Sequence, residues 1–254
     1  MILNLHELDD LRTGEREQAR IADLMALVPA GPGSVLDVGA RDGYLSRRLA
    51  DRGHAVSALD LTMPDIADDR IALFQGNATR LEFPDAAFDT VLCAEVLEHI
   101  AMPGLESACA ELTRVARRCL VIGVPYRQDI RLWRTTCPVC GGGNPPWGHV
   151  NSFDEGRLRS LFPGLVWDRH NFVGETAECT NALAAWLMDR AGNPWGTYQQ
   201  DEPCIHCGGE LQPPRVRPLA SKLLSRLAQW VRQAQAPLVS AKPLWIHVRF
   251  RKPD

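Results

Sequence analysis

The chain has 254 residues, of which 45% are hydrophobic and 23% charged, and its formal net charge is −3. A chain of this length buries a full hydrophobic core, so its fold does not depend on disulfide staples. The small negative charge excludes a general attraction to nucleic acid or anionic membranes, and it favours a small or locally bound partner.

The first twenty residues, MILNLHELDDLRTGEREQAR, acquire acidic side chains early and lack the apolar core and cleavage site of a signal peptide. No stretch of the sequence is apolar enough to be a membrane span. We therefore expect a cytoplasmic protein that binds neither membrane nor nucleic acid. In a reducing compartment, paired cysteines are more typical of metal binding than of a disulfide framework. Four cysteines in apolar segments are expected to be plain core residues: Cys93, Cys109, Cys119 and Cys179.

Residues 1–125 alternate between helical and extended patterns. Apolar residues between Leu5 and Val28 recur at helical spacing, and the segment PAGPG ends that helix. The patterns then predict strands at 34–39, 54–60, 71–76, 88–95 and 119–125, with helices at 44–53 and 104–118. This alternation predicts an open, doubly wound α/β core over 1–125, with ligands bound at the carboxyl ends of its parallel strands.

Residues 126–254 are less regular, and we expect them to hold insertions, acceptor-site elements and the closing strands of the same sheet. A helix at 152–162 begins at Ser152 or Asp154, and the alternating segments 165–174 and 243–250 predict two paired closing strands. Helices are also predicted at 178–190 and 215–235. The second carries an apolar stripe, which we expect to pack on the core while its basic face is solvated; a membrane surface or nucleic acid is the alternative partner. The stripe comprises Leu219, Leu223, Leu227, Trp230 and Val231.

A glycine loop follows the first strand. Asp37, Gly39 and Gly43 have the spacing Asp-x-Gly-x-x-x-Gly, in which glycines allow a sharp turn and close approach to a ligand. The spacing differs from the Gly-x-Gly-x-x-Gly fingerprint, which disfavours a NAD enzyme. Asp60 ends the second strand, where a carboxylate can accept hydrogen bonds from both ribose hydroxyls. A nucleoside ligand is therefore predicted.

Four motifs in this order resemble the class I S-adenosylmethionine-dependent methyltransferases, in their small-molecule branch: VLDVGARDGYL, the strand-ending Asp60, GNA at 76–78 and CAEVLEHI at 93–100. The resemblance covers about residues 30–125 well and the closing strands loosely. It implies a Rossmann-like, seven-stranded fold, S-adenosylmethionine as cofactor and methyl transfer as activity.

The resemblance also implies roles for nine residues. Asp37, Gly39 and Gly43 would line the methionine and ribose portion of the cofactor. Asp60 would hold the ribose hydroxyls, with Leu61 beside the adenine. Asn77 and Ala78 would contact the adenine, Asn77 through its side-chain carbonyl, and Ala94 and Glu95 would flank the methionine and the reacting methyl group.

A hydroxyl acceptor must lose a proton, and histidine is the side chain best suited to remove it near neutral pH. His149 is our candidate for this catalytic role, because it lies just beyond the fifth strand, where the family's acceptor sites gather. Two other roles stay open for His149: a metal ligand, since it follows Cys140 by nine residues, or an ordinary capping and packing residue.

Two Cys-x-x-Cys-Gly-Gly hooks, CPVCGG and CIHCGG, supply four thiols in Cys137, Cys140, Cys204 and Cys207. This spacing predicts a tetrahedral zinc site with four cysteine ligands; a site in which His149 replaces one cysteine is the alternative. We expect a structural clip between two insertions. The expected function is O-methylation of a sugar-containing or secondary-metabolite hydroxyl, with N-methylation close behind. Two alternatives are an RNA methyltransferase and a non-enzymatic zinc-organised binding protein that retains a vestigial cofactor fold.

Overall fold

The computed structural model describes residues 14–200 and 202–253, and the chain divides into two compact units. The sheet unit contains the described residues up to Tyr126, together with 153–174 and the residues from Pro243 onward. The insertion unit contains the described residues of 127–152 and 175–242. The two units are thus interleaved along the chain. The predicted division into a cofactor-binding core over 1–125 and a late half over 126–254 stays a prediction.

A seven-stranded, mostly parallel sheet has the order β3-β2-β1-β4-β5-β9-β8. Strands β1 to β5 pair in parallel, and β9 runs antiparallel to β5. This order confirms the predicted Rossmann-like fold and the pairing of two closing strands. The strands are β1 (Ser34–Val38), β2 (Ala55–Asp60), β3 (Ile71–Gln75), β4 (Phe88–Ala94), β5 (Ala116–Pro125), β6 (Thr135–Thr136), β7 (Gly143–Asn144), β8 (Val166–Thr176) and β9 (Lys242–Arg251), with β6 and β7 forming a separate two-stranded ribbon.

The helices of the sheet unit are α1 (Glu15–Leu27), α2 (Tyr44–Asp51), α3 (Gly104–Val115) and α4 (Glu155–Leu161). The predicted start of α1 at Leu5 lies outside the described residues. Asp154 rather than Ser152 caps α4, accepting a hydrogen bond from the Arg157 amide at 2.8 Å. The helix predicted over 104–118 is three residues too long, because Ala116 already pairs with Phe88 of β4.

Apolar side chains cover both faces of the sheet. Leu36 of β1 packs in one buried cluster with Leu112 of α3, whereas its neighbour Val35 packs in a second cluster with Leu24 of α1. Successive strand residues point to opposite faces, so this division shows that both faces are buried. The polar ends of the strands are therefore the exposed edge at which a ligand can bind.

The insertion unit contains α5 (Ala182–Arg190) and α6 (Leu219–Gln235), which pack against each other. The buried residues of α6 are small, Ser225 and Ala228, and the partner helix buries Ala184 and Ala185. Small side chains let two helices approach closely. Four residues of the apolar stripe are instead exposed, so the prediction that the stripe packs on the core is wrong; they are Leu219, Leu223, Leu227 and Trp230. No helix in the described part of the chain is long and apolar enough to cross a membrane.

One buried polar contact joins β1 to α2. Asp37 is 2% exposed, and its Oδ2 accepts a hydrogen bond of 2.5 Å from Ser46 Oγ. Burial raises the pKa of Asp37 from 3.8 to about 6, although the hydrogen bond from Ser46 opposes this rise. The folded protein therefore binds the proton of Asp37 more tightly than the unfolded chain does. The resulting stabilisation is full below pH 3.8 and is lost as the pH rises through about 6.

Replacing Asp37 by Asn removes this titration and keeps an oxygen for Ser46. From pH 4 to pH 8, we expect the free energy of unfolding of the wild type to fall by roughly 2–3 kcal/mol more than that of Asp37→Asn. Urea unfolding followed by circular dichroism at each pH measures both values. If the free energy of unfolding had the same pH dependence in both proteins, the raised pKa of Asp37 would be contradicted.

Candidate functional site

The loop between β1 and α2 brings main chain close to the edge of the sheet. Gly39 and Gly43 have φ angles of 80° and 76°, in the left-handed region that favours glycine. A Cβ atom at Gly39 would lie 2.2 Å from Val96 Cγ2, and one at Gly43 would lie 2.4 Å from Ile66 Cδ1. Side chains are thus excluded at both positions by conformation and by space, as the sequence predicts for a loop that wraps a ligand.

The carboxylate of Asp60 is held in place at the end of β2. Its Oδ2 accepts a hydrogen bond from the amide of Arg41 at 2.8 Å, and its Oδ1 accepts one from the amide of Leu61 at 2.7 Å. Each oxygen keeps a further lone pair, which matches two adjacent hydroxyl donors. Leu61 follows directly and is 67% exposed, so it offers an uncovered apolar surface beside the carboxylate. This pair suits a ribose with an attached base.

Asn77 lies in a turn after β3, and its side-chain oxygen already forms hydrogen bonds within that turn. Its Oδ1 accepts hydrogen bonds from both the amide and the hydroxyl of Thr79, each at 2.9 Å. The predicted contact of this carbonyl with an adenine amino group would compete with those bonds. The Nδ2 amide is the group better placed to meet a ligand, as a donor rather than an acceptor. Ala78 beside it is buried in the core.

Ala94 ends β4, and the adjoining Glu95 has a φ of 57°. The amide of Glu95 donates to the carbonyl of Gly123, and its Oε2 accepts a hydrogen bond of 3.2 Å from Trp245 Nε1 on β9. Its Oε1 is buried and has no hydrogen-bond partner among the described residues. Burial raises the pKa of Glu95 to about 7, while the charge of Arg20 and the bond from Trp245 act against the rise.

Arg20 of α1 approaches this site, and the sequence alone did not reveal it. Its Nε and Nη2 atoms donate to Glu17, at 2.8 Å and 2.5 Å, whereas Nη1 is buried without a hydrogen-bond partner in the described chain. A buried, unpaired guanidinium N–H is costly unless an acceptor meets it. The helical pattern of α1 marks Arg20 only as a polar position, so no spacing signal connected it to Glu95 or Trp245.

Glu98 is a second buried acid near Glu95. It is fully buried, and neither of its carboxylate oxygens has a partner in the part of the chain that the structure describes. Burial, together with the charge of Glu95, raises the pKa of Glu98 well above its ordinary value. Burial therefore favours the neutral form of the Glu98 carboxyl.

The four hook cysteines converge within the insertion unit. The Sγ atoms of Cys137, Cys140, Cys204 and Cys207 all lie within 4.8 Å of one another. Cys137 and Cys207 lie 3.7 Å apart, and Cys140 and Cys204 lie 3.6 Å apart. A tetrahedral zinc ion with Zn–S bonds of about 2.3 Å spaces its sulfur ligands about 3.8 Å apart. The thiols are thus arranged to hold one such ion, as the sequence predicts.

The two hooks share one backbone design. In the first, the amide of Cys137 donates to the carbonyl of Gly142 and the amide of Gly141 donates back to that of Cys137, both at 2.9 Å. In the second, the same two bonds join Cys204 with Gly209 and Gly208, at 2.9 Å and 2.8 Å. Gly141 and Gly208 have φ angles of 71° and 70°. Two matched turns explain why both hooks end in two glycines.

His149 lies in the insertion unit and is not one of the clustered ligands of the cysteine site. Its Nδ1 forms a hydrogen bond of 2.6 Å with Oε1 of Gln128. Because that amide oxygen can only accept, Nδ1 carries the proton of this bond. The four cysteines fill the tetrahedral site by themselves, which favours a site of four thiolates over one in which His149 replaces a cysteine.

The other cysteines behave largely as expected. Cys93, Cys109 and Cys119 are buried free thiols, while Cys179 is only partly buried. Burial raises the pKa of Cys93 and of Cys109, which makes these thiols inert.

Residues 36–119 match the family model described as a methyltransferase domain. This segment begins within β1 and contains β2, β3 and β4, together with the loops that follow these four strands. It therefore includes every residue to which the sequence assigns a cofactor role.

Several known proteins with related sequence or structure are named as methyltransferases. The ubiquinone biosynthesis O-methyltransferase of Paracidovorax citrulli is 29% identical over 122 residues, which are 43% of this chain and 48% of that protein. The chain thus spans about half the length of this curated relative.

Two solved structures align over most of the chain. The first is the 1,6-didemethyltoxoflavin-N1-methyltransferase of Burkholderia thailandensis with bound S-adenosylhomocysteine, at 15% identity and a TM-score of 0.54 over 98% of this chain and 84% of the other. The second is the N-methyltransferase NodS of Bradyrhizobium japonicum, at 14% identity and a TM-score of 0.54 over 96% and 99%. At this identity they establish the fold alone. Residues 36–119 thus match a methyltransferase domain, and the chain has the fold of the class I S-adenosylmethionine-dependent methyltransferases.

Proposed function

We propose that this protein transfers a methyl group from S-adenosylmethionine to a small-molecule acceptor. The observation that supports this function best is the set of features at the carboxyl ends of β1, β2 and β4. There, two glycines exclude side chains, the Asp60 carboxylate is held with free lone pairs, and Glu95 has an unpaired buried oxygen. The methyltransferase domain covers these three strand ends.

The chain's residues fit the parts of the cofactor. In this proposal the Gly39–Gly43 loop, supported by Asp37, lies against the methionine and ribose portion, and Asp60 accepts both ribose hydroxyls. Leu61, Asn77 and Ala78 contact the adenine, with Asn77 donating through Nδ2. Ala94 and Glu95 flank the methionine.

Arg20 is a further proposed ligand of the cofactor. Its unpaired Nη1 suits the methionine carboxylate, because an arginine N–H donates strongly to a carboxylate. The charge of Arg20 acts to lower the pKa of Glu95 and so favours its carboxylate form. This carboxylate suits the neighbouring methionine ammonium.

When bound, S-adenosylmethionine supplies an electrophilic methyl group with a good leaving group. The protein's task is then mostly to align the acceptor with that methyl group and to exclude water, and such alignment can supply several orders of magnitude in rate. A base is required only where the acceptor must lose a proton.

We infer that the acceptor atom is a hydroxyl oxygen of a sugar-containing or secondary-metabolite molecule. The curated relative is named as an O-methyltransferase, which supports oxygen, while the structural neighbours named as N-methyltransferases keep nitrogen as the alternative. His149 is the proposed base, since its bond to Gln128 places the ring proton of the neutral imidazole on Nδ1. Its imidazole would remove the hydroxyl proton as the oxygen attacks.

We further propose that Cys137, Cys140, Cys204 and Cys207 hold a structural zinc ion. The sulfur spacing and the matched glycine turns support this site. The cysteine sulfurs would hold the ion, and amides already donate to two of them: that of Gly142 to Cys140 and that of His206 to Cys204, each at 3.4 Å. A closed site with four protein ligands leaves no position for catalysis.

Replacing Asp60 by Ala should weaken the binding of S-adenosylmethionine by roughly 10- to 100-fold, because two hydroxyl bonds to a charged acceptor are lost. Isothermal titration calorimetry measures the dissociation constant. The control is Asp69→Ala, an exposed carboxylate on the loop before β3, which should bind as the wild type does. A wild type that binds no S-adenosylmethionine would refute the proposed function.

The double variant Cys204→Ser/Cys207→Ser should lose its zinc, whereas Cys179→Ser, which changes a cysteine outside the cluster, should keep one equivalent. Elemental analysis of the purified proteins measures the metal. The double variant should also unfold at a lower temperature, since a structural zinc ion stabilises the fold that holds it. One equivalent of zinc retained in the double variant would contradict the four-cysteine site.

His149→Gln should lower kcat for a hydroxyl acceptor by about 100-fold, with unchanged affinity for S-adenosylmethionine. The acceptor comes from a panel of phenols, sugar derivatives and amines assayed with radiolabelled cofactor. Gln128→Glu, which still accepts from Nδ1, should retain most of the activity. Methylation of amines alone, or full activity of His149→Gln, would rule out His149 as the base for a hydroxyl.

A further inference from the structure

An exposed apolar stripe runs along α6 of the insertion unit. Trp230 and Leu219 are 74% and 72% exposed, and Leu223 and Leu227 are 58% and 48% exposed. At about 100° per residue, the four positions fall within an arc of about 80° on the helix surface. Val216 before the helix and Leu238 after it are exposed as well, at 83% and 85%. A continuous apolar surface of this length marks an interaction site.

Positive charge lies beside this stripe. Residues 215–238 contain five basic side chains and no acidic one. Within the insertion unit, the guanidinium of Arg217 lies over the ring of Trp195, and that of Arg232 lies over the ring of Trp133. The remaining three form no ion pair within the described chain; they are Arg215, Lys222 and Arg226. On the helical wheel, Lys222 and Arg226 flank the edge of the stripe next to Leu219.

This charge pattern selects the partner. Pairing the stripe with the same stripe of a second copy would bring basic edges together, with no acidic side chain on the helix to meet them. An anionic lipid surface satisfies both features, because leucine and tryptophan enter the boundary between headgroups and acyl chains while lysine and arginine meet lipid phosphates. Because the net charge of the whole protein is −3, the electrostatic attraction to anionic lipid must come from this basic surface alone.

We propose that α6 docks this protein on an anionic lipid surface, lying in the plane of the membrane with the stripe of Leu219, Leu223, Leu227 and Trp230 inserted. This replaces our expectation of a protein without a membrane partner, which treated the stripe as buried. The proposal does not depend on the methyl acceptor or on cofactor binding.

Sedimentation with vesicles tests this docking. Full-length wild type should sediment with phosphatidylcholine vesicles that contain phosphatidylglycerol, sediment less with phosphatidylcholine alone, and dissociate as salt is raised. Leu223→Ser/Trp230→Ser should reduce the partition coefficient by about tenfold or more, through lost apolar burial. Lys222→Gln/Arg226→Gln should reduce it by roughly fivefold per charge.

Two matched controls separate this surface from general effects. Val166→Ser/Phe172→Ser changes two exposed apolar residues of β8, and Arg118→Gln/Arg169→Gln removes two exposed charges of the sheet unit. Both should sediment as the wild type does, and all variants should melt at similar temperatures.

Three results would overturn the proposal. The first is a wild type that stays in the supernatant with anionic vesicles. The second is a stripe variant that sediments as the wild type does. The third is a wild type that does not bind vesicles but forms a dimer, detected by analytical ultracentrifugation, which the stripe variant does not form.

Discussion

The parallel pairing of β1 with β2 and β4 is the constraint on which the site depends. In-register pairs such as Asp37 with Ala58 and with Leu92 make these strands end at one edge, so the loops that follow them must share that edge. Main chain has to turn there without a side chain, because a Cβ at Gly39 would overlap Val96. The same turn brings the Arg41 amide to Asp60. Backbone conformation, rather than a set of reactive side chains, thus shapes the proposed cofactor site.

Burial dominates the electrostatics of that edge. Asp37, Glu95 and Glu98 all lie where water is excluded, and their pKa values rise for that reason. The charge of Arg20 acts on both Glu95 and Glu98, and an N–H of its guanidinium is unpaired in the described chain. A zwitterionic ligand would satisfy both the buried acid and the buried cation, which is the charge pattern of the methionine end of the proposed cofactor. In the insertion unit four thiols converge between two matched turns, which the proposed zinc ion would join.

Features with a local signature could be predicted from the sequence. The strands and the glycine loop are marked by short-range patterns, and the two hooks by their fixed spacing. The charge effect of Arg20 on Glu95 and the hydrogen bond from Trp245 could not be predicted, because they join residues 75 and 150 positions apart with no shared motif. The orientation of α6 was predicted wrongly for another reason. A periodic pattern shows that a helix is amphipathic, but here the small residues Ser225 and Ala228 make the buried contact and the leucines face outward.

A crystal structure of the protein grown with S-adenosylhomocysteine is the most direct test of the proposed cofactor site. We expect the ribose hydroxyls within hydrogen-bonding distance of both Asp60 oxygens, the adenine against Leu61, and the methionine carboxylate at Arg20 Nη1. The sulfur atom would then mark the direction in which the methyl group leaves, and with it the acceptor site. Crystals that show no ligand at saturating concentration, or a ligand bound away from the ends of β1, β2 and β4, would contradict the assignment of this edge as a methyltransferase site.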